Sequence, residues 1–165
     1  MSNIILIGMP GCGKSTVGVI LAKTLGIGFV DTDLIIQQNE NRLLQDIIDS
    51  DGIDYFLDCE EKAIKTLQCK NSVIATGGSV VFRDGAMEHL KKLGKICYID
   101  VPVEILTERL NNIKTRGIAA KKGQTIQSIY DERTMLYKKY CDFSVELCNV
   151  SVEKAVETIK KKLNK

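Results

Sequence analysis

The sequence predicts an α/β fold of three layers, with a five-stranded parallel sheet between helices on both faces. Three observations carry this expectation. Short apolar runs alternate with helix-period segments along the whole chain. The first four runs close on glycine or aspartate, residues that turn a strand into a loop. The first run leads directly into Gly8-Met9-Pro10-Gly11-Cys12-Gly13-Lys14-Ser15, the pattern G-x-x-x-x-G-K-[ST].

Each element has its own reason. Ile4 to Ile7 is apolar throughout and reads as a buried strand, and Ser15 to Leu25 reads as the helix that follows the glycine-rich turn. Gly28 to Val30 is a short second strand ending in Asp31-Thr32-Asp33. Leu34 to Ser50 reads as helical with a polar break at 37–41, Asp51-Gly52 as a turn, and Ile53 to Gln68 as a helix with Phe56, Cys59, Ala63, Ile64 and Leu67 on one side. Ser72 to Thr76 is a third buried strand closed by Gly77-Gly78. Asp84 to Leu93 is a helix stopped by Gly94. Ile96 to Ile99 is a fourth strand and Val103 to Asn111 a helix. Phe143 to Leu147 alternates enough for an edge strand. Ser151 caps a final amphipathic helix to Leu163, with Glu153 in its first turn and Lys160 to Lys162 in its last. The expectation is one domain over 1–165, without linker, repeat or low-complexity segment.

Composition narrows the function classes. Apolar content of 44% and charged content of 27% are those of a soluble globular chain. A net charge of +2 is too small to argue for nucleic acid or a membrane surface. No apolar run approaches the ~18 residues of a membrane span, and no secretory leader is expected. Cys12, Cys59, Cys69, Cys97, Cys141 and Cys148 are scattered without C-x-x-C spacing, which favours reduced thiols and a cytoplasmic setting. His89 is the single histidine, on a helix that reads as surface, which disfavours a histidine-based triad or metal site.

The glycine-rich turn carries chemistry. Glycines let successive N–H groups close around a phosphate at a helix N-terminus. Gly11, Cys12, Gly13, Lys14, Ser15 and Thr16 are the expected ATP contacts, with Lys14 charging the β- and γ-phosphates and Ser15 holding Mg²⁺. In an open parallel sheet, ligands gather at the carboxyl ends of the strands. Asp31 and Asp33, two apart after the second strand, offer one carboxylate for Mg²⁺ and one to orient and deprotonate an acceptor hydroxyl; a helix cap is the competing reading. Gly77-Gly78-Ser79 permits close approach of a ligand to the backbone. Asp100 competes weakly for the metal role. From Ile113 to Tyr130 there is no acidic residue, and Lys114, Arg116, Lys121 and Lys122 make the stretch basic. It reads as a lid over the phosphates, about 113–124, with Arg116 on the transferring phosphoryl; a solvated loop is the alternative.

Taken together, Gly8 to Gly18, Asp31-Thr32-Asp33, Asp51 to Glu60, Ala75 to Val81, Glu108-Arg109-Leu110 and Arg133 to Tyr137 resemble the shikimate kinase family over nearly the whole chain. The resemblance implies a P-loop NTPase fold with strand order 2-3-1-4-5, ATP with Mg²⁺, a mobile lid and an acceptor-binding helical region near 33–62. It assigns Asp31 to the metal side and Asp33 to the acceptor hydroxyls as base. It assigns Gly77 and Gly78 to the acceptor pocket, Arg109 to the adenine side, Arg116 to the lid, and Arg133 to the acceptor carboxylate.

The chain also departs from that pattern. Ile53 and Leu57 stand where the family has Glu and Arg, and Ser79 where it has a third glycine. Loss of one Arg–carboxylate bond, about 1.5–3 kcal/mol, predicts ~10–100-fold weaker acceptor recognition. Leu57 and Ser79 are therefore read as altered acceptor-site positions. The expected activity is ATP-dependent phosphorylation of a small hydroxylated acid, shikimate first, by a monomer. A paralogous kinase for another polyol or hydroxy acid and a non-catalytic ATP-binding module are the alternatives. A nucleoside monophosphate kinase lacks an evident arginine pair for its acceptor phosphate, and a GTPase would need an N-K-x-D motif that is absent.

Overall fold

The sheet is built outward from strand β1 (Asn3–Ile7), whose five residues are all buried. The structure is a computed structural model and describes residues 2–111 and 117–164. The strands β2 (Gly28–Asp31), β3 (Ser72–Ala75), β4 (Gly94–Asp100) and β5 (Phe143–Glu146) complete a five-stranded sheet in the order β2-β3-β1-β4-β5. All four pairings are parallel. Ile5 sits opposite Ile74 on one side and Ile96 on the other, and all three are fully excluded from solvent. A parallel sheet needs both faces covered, so its central strands read as unbroken apolar runs rather than alternating ones. This is why β1, β3 and β4 read in the sequence as apolar runs. The expected order and the expected edge position of the fifth strand both hold.

The covering helices are α1 (Lys14–Leu25), α2 (Thr32–Glu40), α3 (Leu44–Lys65), α4 (Asp84–Leu93), α5 (Val103–Asn111), α6 (Ile126–Tyr140) and α7 (Val152–Leu163), with a 3-10 turn at Val80–Phe82. Helix α1 packs against α7, and α3 against α2 and α4. Ser151 caps α7 through the Lys154 N–H, as its sequence implies. Thr125 and Ser128 form a reciprocal capping box that starts α6.

Two expected breaks in the helical region after β2 are found. The polar one is narrower than 37–41: helix α2 continues to Glu40 and ends at Asn41, left-handed at φ 51°, before α3 begins at Leu44. The Gln37 carbonyl and side chain do the closing: the former accepts from the Asn41 N–H and the latter from the Leu44 N–H at 3.3 Å. The expected turn at Asp51-Gly52 is present: Gly52, at φ 87°, ψ 170°, is non-helical and divides α3 into two helical segments across a kink. After the kink, Phe56, Leu57, Glu60, Ala63 and Ile64 are all buried, and α3 packs against α2, α4 and the 3-10 turn.

Because β2, β3 and β1 are neighbours, the loops after their carboxyl ends lie side by side. Topology alone brings together the turn after Ile7, the Asp31–Asp33 segment and the Gly77–Ser79 turn. Thr76 fastens the last of these to the first strand: its N–H and its hydroxyl both donate to the Leu6 carbonyl, at 3.2 and 3.0 Å.

Candidate active site

The glycine-rich turn wraps into α1 through Gly13, left-handed at φ 94°, ψ 18°, which is costly for any residue with a Cβ. The turn leaves the first N–H groups of α1 pointing outward as an anion cradle. Lys14 is folded back over it. Its Nζ donates to the carbonyls of Gly8 at 2.8 Å and Met9 at 2.9 Å, with Cys12 Sγ at 3.6 Å. These weak neutral acceptors are what a phosphate would replace.

Asp31 and Asp33 do not share an extended segment. Asp31 ends β2 and caps α2, its Oδ1 accepting from the Asp33 N–H at 3.0 Å. Its Oδ2 accepts from Ser15 Oγ at 2.7 Å. The cap of α2 is thus Asp31 and not Asp33. A hydroxyl beside a carboxylate at the rim of the phosphate cradle suits Mg²⁺, which takes few protein ligands and fills its octahedron with phosphate and water oxygens. Asp33, two residues further and in the first turn of α2, lines a cavity of about 280 Å³.

That cavity gathers most of the expected residues on one wall system. Gly11, Gly13, Lys14, Ser15 and Thr16 line the phosphate end; Asp33, Gly77, Gly78, Ser79 and Arg133 line the other. Ile118 and Ala119, within the basic stretch, also line it. Arg133 is only 1% exposed. Its Nη2 donates to the Ala119 carbonyl, and its guanidinium stacks 5.2 Å from the Phe82 ring centroid. Its Nε and Nη1 have no hydrogen-bond partner among the described residues. A buried guanidinium with open donors on a cavity wall is built to take an anion. Tyr137, one turn along α6, donates to the Gly78 carbonyl at 2.5 Å and stacks on Tyr98 with 5.1 Å between centroids.

Other expected residues lie elsewhere. Cys12 is buried behind the cradle, not on the cavity wall. Arg109 is at the outer side of the cradle, donating to the Gly11 carbonyl at 3.1 Å. Asp100 is held by the Tyr98 hydroxyl at 3.0 Å, and the Leu147 N–H donates to its carbonyl oxygen at 2.8 Å; Ser15 has Asp31 as its carboxylate partner instead. Arg116 and residues 113–116 of the expected lid lie outside the described residues. Leu57 is a correction: it packs with Ile36, Leu44, Ile47, Phe56, Ala63 and Ala119 and is absent from the cavity wall. Helical phase is the reason. One residue is 100° of rotation, and α3 presents Phe56 to the cavity.

Glu60 was quoted in the sequence pattern and given no role. It is 1% exposed, and its Oε2 accepts from Ser79 Oγ at 2.7 Å. A Cβ at position 77 would collide with Glu60 Oε1 and stand 3.0 Å from Asp33 Oδ1, so the two carboxylates flank one backbone carbon. Burial pushes the Glu60 carboxyl up to about 7; the Asp33 charge adds to the rise, while the Ser79 bond, Arg133 and Lys14 oppose it. The signal was an acidic residue in step with Phe56, Ala63, Ile64 and Leu67 on an otherwise apolar helix face.

The family model for shikimate kinase matches residues 10–164. The chain belongs to the shikimate kinase family. A shikimate kinase of Clostridium botulinum (strain Eklund 17B / Type B) is 37% identical over 161 residues, covering 97% of this chain and 96% of that protein. The solved structure titled as shikimate kinase from Acinetobacter baumannii in complex with shikimate aligns with a TM-score of 0.93 at 28% identity, over 99% of this chain and 93% of that one. Threonine synthase-like 1 of Pongo abelii is 38% identical over 145 residues, 87% of this chain but 20% of that longer protein. The shikimate kinase family is one of ATP-dependent kinases, and the phosphate cradle with Lys14 on its rim is the part of this chain suited to the nucleotide. No helix among the described residues is long and apolar enough to cross a membrane.

Proposed function

We propose that the chain transfers the γ-phosphoryl group of ATP to a hydroxyl of shikimate, giving shikimate 3-phosphate and ADP. One observation carries the reading: a single cavity is lined by the anion cradle, by Asp33 and by a buried arginine whose Nε and Nη1 have no hydrogen-bond partner among the described residues. A hydroxylated carboxylic acid matches that set of groups.

The cradle N–H groups and Lys14 hold the phosphates, Lys14 leaving the Gly8 and Met9 carbonyls as they bind. Arg133 takes the acceptor carboxylate and so sets the ring against Asp33. Asp33 orients the hydroxyl; its oxygen bonds to the γ-phosphorus as the bond to the β–γ bridging oxygen breaks, and Asp33 accepts the proton late. Arg116, in the lid at 113–124, adds charge to the transferring group. Ser15 and Asp31 would hold Mg²⁺, which neutralises phosphate charge when bound. Most of the acceleration comes from positioning and electrostatics. In this reading 1–165 works as one monomeric, cytoplasmic kinase domain, with 33–62 as its acceptor-binding region.

A second reading is a kinase for a different small hydroxy acid or polyol. Leu57 favours it, since the position where the family pattern has arginine contributes no charge here. ADP release measured with ATP, Mg²⁺ and a panel of shikimate, quinate and neutral polyols decides between them. Shikimate is expected to give the highest kcat/KM; a tenfold preference for another acceptor selects the second reading, and no stimulation by any acceptor removes both.

A further inference from the structure

Two departures from the family pattern meet at one carboxylate. On α3, positions 57 and 60 are three apart and therefore neighbours on the helix surface. An arginine at 57 would stand beside Glu60. Here Leu57 is apolar and packed in its own cluster, and no ion pair to Glu60 exists among the described residues. A fully buried carboxyl still needs a donor. Ser79, standing where the family has glycine, supplies one at 2.7 Å and is itself 3% exposed. Glu60 Oε1, without a hydrogen-bond partner among the described residues, is pressed against Gly77 on the side where Asp33 Oδ1 also lies.

We propose that Glu60 is a positioning residue of the acceptor site, and that the Ser79 hydroxyl fixes it in place of an arginine at position 57. The pair sets the spacing between the Gly77–Ser79 turn and Asp33. The two departures are thus one compensated change: the site gives up a cation and gains a neutral strut. Acceptor recognition falls to the single fork of Arg133, and the strut holds the turn that the acceptor rests on. The charged and titratable groups facing Glu60 are Lys14 from α1, Asp33 from α2, and Arg133 and Tyr137 from α6. The inference rests on reading the cavity as the acceptor site.

Steady-state kinetics of Ser79→Ala, Glu60→Gln and the double variant test it, alongside a carbon-13 NMR titration of the Glu60 carboxyl in ligand-free wild-type and Ser79→Ala protein. Ser79→Ala is expected to raise the shikimate KM about 5–20-fold, with the ATP KM within about twofold, because a hydrogen bond to a carboxyl is lost only on the acceptor side. The double variant is expected to be no worse than the worse single one, as for residues acting through one contact. The Glu60 midpoint is expected to move to higher pH in Ser79→Ala. Single effects that multiply, an acceptor KM within twofold of wild type, or a comparable rise in both KM values overturns the positioning role. An unmoved Glu60 midpoint overturns the pairing and needs no turnover to be read. Wild-type protein inactive toward shikimate overturns the functional reading instead, and the NMR titration keeps the two failures apart.

Discussion

The Ser79 hydroxyl meets the Glu60 carboxyl at 2.7 Å across 19 residues of sequence, and both side chains are buried. Position 79 reads in the sequence as an altered acceptor-site position. In the fold that side chain is already engaged. The pair has a thermodynamic consequence apart from catalysis. A folded-state carboxyl held near 7 binds its proton more tightly than an unfolded one near 4.5. Its contribution to stability is complete below about pH 4.5 and is lost as pH rises through 7. Wild type is therefore expected to lose stability relative to Glu60→Gln between pH 5 and 8, by at most about 3 kcal/mol. Urea unfolding of both proteins across that range checks the sign; a wild type that gains on the variant as pH rises contradicts it.

Asp33 lines the cavity together with the phosphate cradle and Arg133. Asp33→Asn keeps the shape and removes the base. kcat is expected to fall about 10²–10⁴-fold, with ATP affinity within about twofold by calorimetry. A variant with wild-type turnover removes Asp33 from the base role.

Arg133 lines the cavity, its Nε and Nη1 without a hydrogen-bond partner among the described residues while Nη2 holds the Ala119 carbonyl. Arg133→Lys keeps the charge and loses the fork. The acceptor KM is expected to rise about tenfold or more, with little change in the ATP KM. Equal effects on both substrates would place the arginine's role in general packing.

Asp31 Oδ2 and Ser15 Oγ meet at 2.7 Å beside the cradle. Asp31→Asn is expected to raise the Mg²⁺ concentration for half-maximal rate about 10–100-fold. Measuring rate against free Mg²⁺ at saturating ATP tests this. An unchanged requirement leaves Asp31 only its capping role on α2.

Leu57 is buried among seven apolar side chains, itself included. Leu57→Arg removes that packing and brings a charge into it. The expected cost is about 2–5 kcal/mol, a fall in Tm of roughly 5–15 °C for a chain of this size. A Tm within two degrees or so of wild type would show that the arginine escapes to solvent or to Glu60.

The sequence by itself determined the nucleotide end of the site and the frame that carries it. A phosphate cradle is made of backbone N–H groups, so it is written in eight consecutive residues, Gly8 to Ser15, with the strand before and the helix after. Buried parallel strands announce themselves as apolar runs, and the caps at Thr125 and Ser151 are local chemistry. The acceptor end is different in kind. Asp33, Gly77 and Arg133 come from three elements far apart in the chain; the strand-end rule joins the first two, and only the family resemblance added Arg133. What only the tertiary structure decided is the environment of side chains whose role depends on helical phase and on partners distant in sequence. One step along α3 separates Phe56 on the cavity wall from Leu57 inside an apolar cluster. Three further steps bring Glu60 under a serine from another element, where burial, not its own chemistry, sets its proton affinity.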